Sequence, residues 1–347
     1  MTKMGMWSRS TTQTHCGVSP IARHGLMLKR FLVIFEPFIL MLIGTVVIAS
    51  ILPPRGAGVP LFGAIADIAI VLLFFLHGAK LSREAVVAGM SNWRLHLAVF
   101  AATYILFPVL GLGVAALPFL TPPVAMGMLF LTLLPSTVQS SIAFTAIARG
   151  NVAAAVCSAS ISNILGIVLT PALTAVLIHS SGSAGVSLSS VESIVVQLLL
   201  PFVAGHLLRP WIGAFVTRQK KMLTIVDRGS ILLVVYTAFG AAVVDGIWHR
   251  MSAAELAVIL AVCAVLLALV LLATWGAGRL MGLSREDAIV LLFCGSKKSL
   301  VSGVPMAGVL FAPAQVGLVI LPLMLFHQLQ LIACAVIARR YADDPGG

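Results

Sequence analysis

Residues 293–306 read FCGSKKSLVSGVPM, with two adjacent lysines inside an otherwise apolar segment. An apolar run, AIVLLFCGS, separates Glu286-Asp287 from Lys297, so a helix rising about 1.5 Å per residue places the lysines about 15 Å deep. That is near the middle of a hydrocarbon core about 30 Å thick. A lysine stem reaches only about 6 Å, too short to carry the ammonium to the headgroups. Both charges must therefore face protein or water. Gly295, Gly303 and Pro305, with Ser296, Ser299 and Ser302, surround them with residues that interrupt a helix and release backbone groups for binding.

The rest of the chain fits a membrane setting. Of its 347 residues 60% are hydrophobic and 10% charged, and the mean hydropathy is +1.10, which no soluble domain could keep from water. Charges fall between apolar runs of roughly 20 residues, the length of a spanning helix and not of a barrel strand. The sequence predicts an all-α polytopic membrane protein with ten transmembrane helices, at about 31–52, 62–79, 95–117, 124–148, 152–178, 192–209, 229–247, 254–280, 287–311 and 315–338. The longest connectors are 80–94, the Gly/Ser-rich stretch 179–190 and a basic loop at 210–228. Residues 1–30 are expected to be a disordered cytoplasmic extension and 341–347 a cytoplasmic tail.

The net charge of +11 is read as a topology signal rather than a nucleic-acid surface. With ten spans, eighteen of the 22 lysines and arginines fall on one side and only Arg55 and Arg250 on the other; Lys297 and Lys298 complete the count. Both termini are therefore expected in the cytoplasm, and the expected surroundings are lipid, with no nucleic acid. The five cysteines are scattered without metal-ligand spacing, so neither disulfides nor a zinc cofactor is expected.

Landmarks recur at nearly one offset: Pro37 and Pro201 are 164 apart, Asp67 and Asp227 160, Ser140 and Ser299 159, Gly150 and Gly308 158. Five spans make one unit, 31–178 and then 192–340. An odd number of spans forces the second copy to enter from the opposite side, giving an inverted repeat. Both units place a polar, broken segment in their fourth span. In the first unit it is LLPSTVQSSIAFTAIARGN (133–151), where Pro135 removes a backbone donor and Ser136, Thr137, Gln139, Ser140 and Ser141 supply hydroxyl and amide groups. Each serine alone could be interhelical glue. Together, two broken helices crossing at the midplane can bind an ion or an anion.

FLHGAKLSREAV (75–86), the segment 133–163, QLLLPFVAGHLLRPWI (197–212), ILLVVYTAF (231–239), FCGSKKSLVSGVPMA (293–307) and LPLMLFHQLQL (321–331) resemble the bile acid:sodium symporter-like family, in its YfeH-type bacterial branch, which is related to the seventh member of vertebrate solute carrier family 10. The resemblance runs from about Met27 to Tyr341. It implies a multi-pass protein of the bacterial inner membrane whose first, second, sixth and seventh helices form a panel. The other six would form a core in which the discontinuous fourth and ninth helices cross. Substrate would bind between panel and core, with alternating access.

In the family's sodium-coupled members the fourth helix presents a Ser-Asn pair, and the ninth a Glu followed by Gln-Asn, together holding two sodium ions. Here Ser140-Ser141 falls at the first position, Lys297-Lys298 at the Gln-Asn position and Phe293 near the glutamate. Sodium prefers hard oxygen ligands and would be repelled by a fixed ammonium nearby. One lysine, Lys298 ahead of Lys297, is expected to act as a tethered cation in place of sodium. It would either hold the crossover through Ser140, Ser141 and backbone carbonyls or bind an anionic substrate. Burial disfavours its charged form, which could couple transport to protons. His327 and Gln328 in the tenth span and Asn163 in the fifth are further candidates to line the cavity. The leading reading is a secondary transporter of a small organic anion; a membrane regulator that keeps the fold is the alternative. An intramembrane enzyme would need a Ser-Lys pair without any supporting signature.

Overall fold

The structure is a computed structural model that describes residues 37–80, 92–178, 195–246 and 251–344, and all their regular structure is helical. In chain order the helices are α1 (Pro37–Ile51), α2 (Gly58–Lys80), α3 (Trp93–Ala115), α4 (Pro122–Leu133), α5 (Gln139–Ile147), α6 (Val152–Leu177), α7 (Val195–Arg218), α8 (Lys220–Val244), α9 (Ala253–Leu280), α10 (Arg285–Gly295), α11 (Leu300–Leu310) and α12 (Pro313–Asp343). Among them are eight stretches long and apolar enough to cross a membrane, α10 and α11 counting as one; α4 and Leu40–Ile51 of α1 are shorter apolar helices. The expected extension 1–30 and the Gly/Ser stretch 179–190 lie outside the described residues.

Two expectations are corrected. The basic loop at 210–228 is helical almost throughout, with only Gln219 between α7 and α8. Lysine, arginine and glutamine are good helix formers, so charge marks where hydrocarbon ends but not where a helix must. The last helix likewise runs to Asp343, into the segment read as a tail.

Helices α1, α2, α7 and α8 pack on one another, α7 along α2 and α8 along α1 and α2. A Cβ on Gly78 would stand 2.0 Å from the Phe202 carbonyl oxygen, and one on Gly205 2.0 Å from that of Phe75, so only glycine permits this crossing of α2 and α7. Lys80, ending α2, forms an ion pair with Asp227 of α8. The remaining helices gather around α10 and α11: α10 lies against α3, α5, α6 and α9, and α12 against α4, α9 and α11. Helix α8 touches α11 and α12 and so joins the two groups.

The centre of the molecule is the α10–α11 stretch. Its most apolar window is 94% buried, against 17–44% in the other long spans. Three helix starts are tied together at one end of it. Asp287 in the first turn of α10 accepts hydrogen bonds from the side-chain amides of Asn92 (2.6 Å) and Asn151 (3.0 Å). The same two asparagines cap α3 and α6, accepting from the N–H groups of Leu95 and Ala154, while Ser284 caps α10. One carboxylate thus fixes where three helices begin.

Candidate functional site: the crossing of two broken helices

Helix α4 stops at Leu133 because Pro135 has no N–H to continue the ladder and excludes helical backbone from Leu134 (φ −75°, ψ 156°). Helix α10 stops at Gly295, and α11 begins after Ser299, whose side chain accepts from the Ser302 N–H (3.2 Å). Each break frees carbonyls that must be satisfied away from water. They are satisfied mainly across the crossing. Ser136 donates to the Cys294 carbonyl (2.6 Å), Ser141 to that of Phe293 (3.1 Å), and the Ser299 N–H to that of Pro135 (2.9 Å). From α6, Thr170 donates to the Leu133 carbonyl (2.7 Å) and Ser162 accepts from the Ser136 N–H (3.0 Å).

Lys298 lies between the breaks with no exposed surface. Its Nζ donates to the carbonyls of Thr103 (2.8 Å), Thr132 (2.8 Å) and Leu134 (2.7 Å), which uses all three ammonium protons. Each acceptor is available for a local reason. Ala102–Leu106 forms a π turn in α3, so the Phe107 N–H bonds Ala102 instead of Thr103. The next residue, Pro108, has no N–H to offer. Thr132 loses its helical partner because the Ser136 N–H turns to Ser162, and Leu134 lies outside any helix. The ammonium also sits 4.1 Å from the centre of the Phe107 ring and 5.9 Å from that of Tyr104, where aromatic faces favour a cation. Gln330 of α12 fixes the lysine's backbone with both ends of its amide, accepting from the Lys298 N–H and donating to its carbonyl, each at 2.9 Å.

Lys297 is equally buried but less engaged. Its Nζ donates to the Ser140 carbonyl (2.9 Å) and lies 4.1 Å and 5.2 Å from the ring centres of Phe144 and Phe293. The Thr137 hydroxyl links those of Ser140 (2.7 Å) and Ser141 (2.9 Å) beside it. Among the described residues the hydrogen-bond partners of the two ammonium groups are backbone carbonyls, with no serine hydroxyl and no carboxylate among them.

The other expected residues divide. Ser296 donates back to Leu292 within its own helix, and Ser302 donates to the Asn163 side chain (2.9 Å), bringing Asn163 to the crossing. His327 joins it through Gln330 (2.7 Å). Gln139 is exposed at the start of α5, and Gln328 is half-buried on another face of α12. Thr103, Thr132 and Gln330 were not foreseen. Backbone carbonyls have no signature of their own, but Pro108 and Pro135 were available as signs of where carbonyls lose partners.

The profile of the SBF-like CPA transporter family (DUF4137) matches residues 36–343. The chain is 56% identical over 309 residues to the uncharacterized protein PA2026 of Pseudomonas aeruginosa, covering 88% of this chain and 93% of that one. It is 53% identical over 310 residues to the putative symporter YfeH of Escherichia coli, covering 89% and 93%. It is 26% identical over 278 residues to sodium/bile acid cotransporter 7 of the rat, covering 79% and 82%. The crossing of broken helices is thus built into a chain that, across nearly all its described length, belongs to the SBF-like CPA transporter family.

Proposed function

We propose that this multi-pass membrane protein is a secondary transporter of a small organic anion, working by alternating access, in which the Lys298 ammonium takes the place of a bound sodium ion. The observation that carries the reading is the closed shell of three carbonyls on Lys298, drawn from the π turn of α3 and the interrupted end of α4, with no carboxylate among its hydrogen-bond partners in the described residues. A mobile cation at such a crossing neutralises freed carbonyl dipoles and draws the two helices together; a covalently attached one does the same without being taken up.

Ten spans in two inverted five-helix repeats, 31–178 and 192–340, accommodate the helices. The order of unbroken and broken helices is the same in both halves, and α7 pairs with α2 as α8 pairs with α1. That exchange is what a two-fold relation between the halves requires. In this reading α1, α2, α7 and α8 are the panel, the remaining helices are the core, and substrate passes between them. The distribution of basic residues supports a reading in which both termini lie on the cytoplasmic side of a bacterial inner membrane.

The test is the melting temperature of the purified protein as sodium replaces potassium at constant ionic strength, paired with uptake of carboxylates and sulfonates by sealed proteoliposomes. A ligand of the folded state raises the melting temperature by mass action. The parent is expected to ignore sodium and to take up an anion without a sodium gradient. Stabilisation of the parent by sodium would return a bound ion to the site. A folded, sodium-insensitive protein that moves no anion would instead be a regulator on a transporter fold.

A further inference from the structure

The two lysines, adjacent in sequence and both without exposed surface, are held in different ways. Lys298 spends every ammonium proton on a carbonyl at a π turn or a helix break. Lys297 spends one, on the carbonyl of Ser140, which lies inside the ladder of α5. Beside Lys297 lie the thiols of Cys294 and Cys334 and the faces of Phe144 and Phe293, and ring faces hold a cation without fixing the direction of its protons. What covers each ammonium also differs. The rings beside Lys298, Phe107 and Tyr104, are themselves buried. Lys297 lies under Ser140 and Phe144, both only half-buried, next to the exposed Gln139. One layer of α5 therefore separates Lys297 from accessible surface.

We propose that the two lysines have separate roles. Lys298 is the permanent cation of the crossing, and Lys297 is the substrate-contacting residue, its ammonium turning from Ser140 and the two rings to the anionic group of the cargo. This rests on the organic-anion reading given above. An ammonium with all its protons engaged can take an anion only by abandoning the carbonyls that close the crossing, whereas Lys297 has two protons to give and loses a single shared bond. The hydroxyls of Thr137 and Ser140, which now satisfy one another at 2.7 Å, are placed to donate to the same anion when Ser140 moves aside.

The experiment is a thermal-shift titration of the purified full chain with acetate, benzoate, methanesulfonate and taurocholate, run on the parent, Lys297→Met, Lys297→Arg and Lys298→Met. Lys297→Met keeps the apolar packing and removes the charge; Lys297→Arg keeps the charge. At least one anion is expected to raise the parental melting temperature. Lys297→Met should keep the ligand-free melting temperature within a few degrees of the parent and need at least tenfold more of that anion for the same shift. Lys297→Arg should stay within about threefold. Lys298→Met should instead lower the ligand-free melting temperature. If the parent responds to an anion and Lys297→Met responds at the same concentrations, the separation of roles is wrong while the anion reading stands. Should Lys297→Met be unstable without ligand, loss of the response in Lys297→Arg as well would overturn it. If no anion moves the parent, the anion reading falls, and this assignment with it.

Discussion

An ammonium whose three protons all rest on backbone oxygens is difficult to replace, because an amide of similar size brings an oxygen of its own against the same carbonyls. Lys298→Gln should therefore cost about 3–5 kcal/mol, the range for removing one partner from a buried charged contact, read as a lower melting temperature in detergent. Lys298→Ala leaves the oxygen shell and an empty channel, so millimolar propylammonium should recover part of the loss, and sodium should stabilise this variant but not the parent. Gln330→Ala removes two hydrogen bonds to the backbone of Lys298 and should cost about 1–3 kcal/mol. Gln328→Ala, with no such role, should stay within about 0.5 kcal/mol. These residues differ in how readable they were. A lysine pair inside a long apolar run announces itself by its cost, and both lysines are fully buried in the structure. The choice between Gln328 and Gln330 depends on which face of α12 meets the crossing, and an apolar span with buried residues on several sides gives no clear stripe to decide it.

At the scale of whole helices, what holds the bundle is close approach and shared ends. Gly78→Ala or Gly205→Ala puts a methyl into a backbone carbonyl and should destabilise by at least about 1–3 kcal/mol. Gly44→Ala, on a part of α1 with nothing within 4 Å, should be neutral or gain up to about 1 kcal/mol from helix propensity. A thermal melt of the three variants separates the cases. Asp287→Ala should leave α10 in place and fray α3 and α6, seen as faster hydrogen exchange at Leu95 and Ala154 than in the parent. The helices themselves were legible, since hydrocarbon thickness and turn residues bound them closely. Their continuation through 210–228 was not, because the charge that ends an apolar run is also compatible with a helix leaving the membrane. The breaks in the fourth and ninth spans were legible from Pro135 and from the glycines around the lysines. The π turn of α3 was not, since a shifted ladder at ATYIL changes no residue type.

At the scale of the molecule, α8 is the seam between α1 and α2 on one side and α11 and α12 on the other. A Cβ on Gly317 would lie 2.8 Å from that of Ala242, whereas a disulfide takes about 3.8 Å, a difference that a slight separation of the two helices supplies. Ala242→Cys with Gly317→Cys should therefore cross-link α8 to α12 and abolish uptake in proteoliposomes, with recovery on reduction; full uptake in the cross-linked protein would mean that these helices need not part. The proposed inversion of the halves rests, in the sequence, on offsets between landmark residues, because the two segments share few identities. The tether on Lys298 has a consequence for energetics. Under the reading proposed here, a cation that is part of the chain returns with the empty carrier, so each cycle leaves only the cargo's charge on the far side. A sodium gradient then does no work on it. The membrane voltage does: about 2.3 kcal/mol per charge at 100 mV, with 1.4 kcal/mol per tenfold, pushes a singly charged anion out of a negative interior to a ratio of roughly 50 to 1. Left to itself such a carrier is an exporter, and the membrane potential sets how far export proceeds.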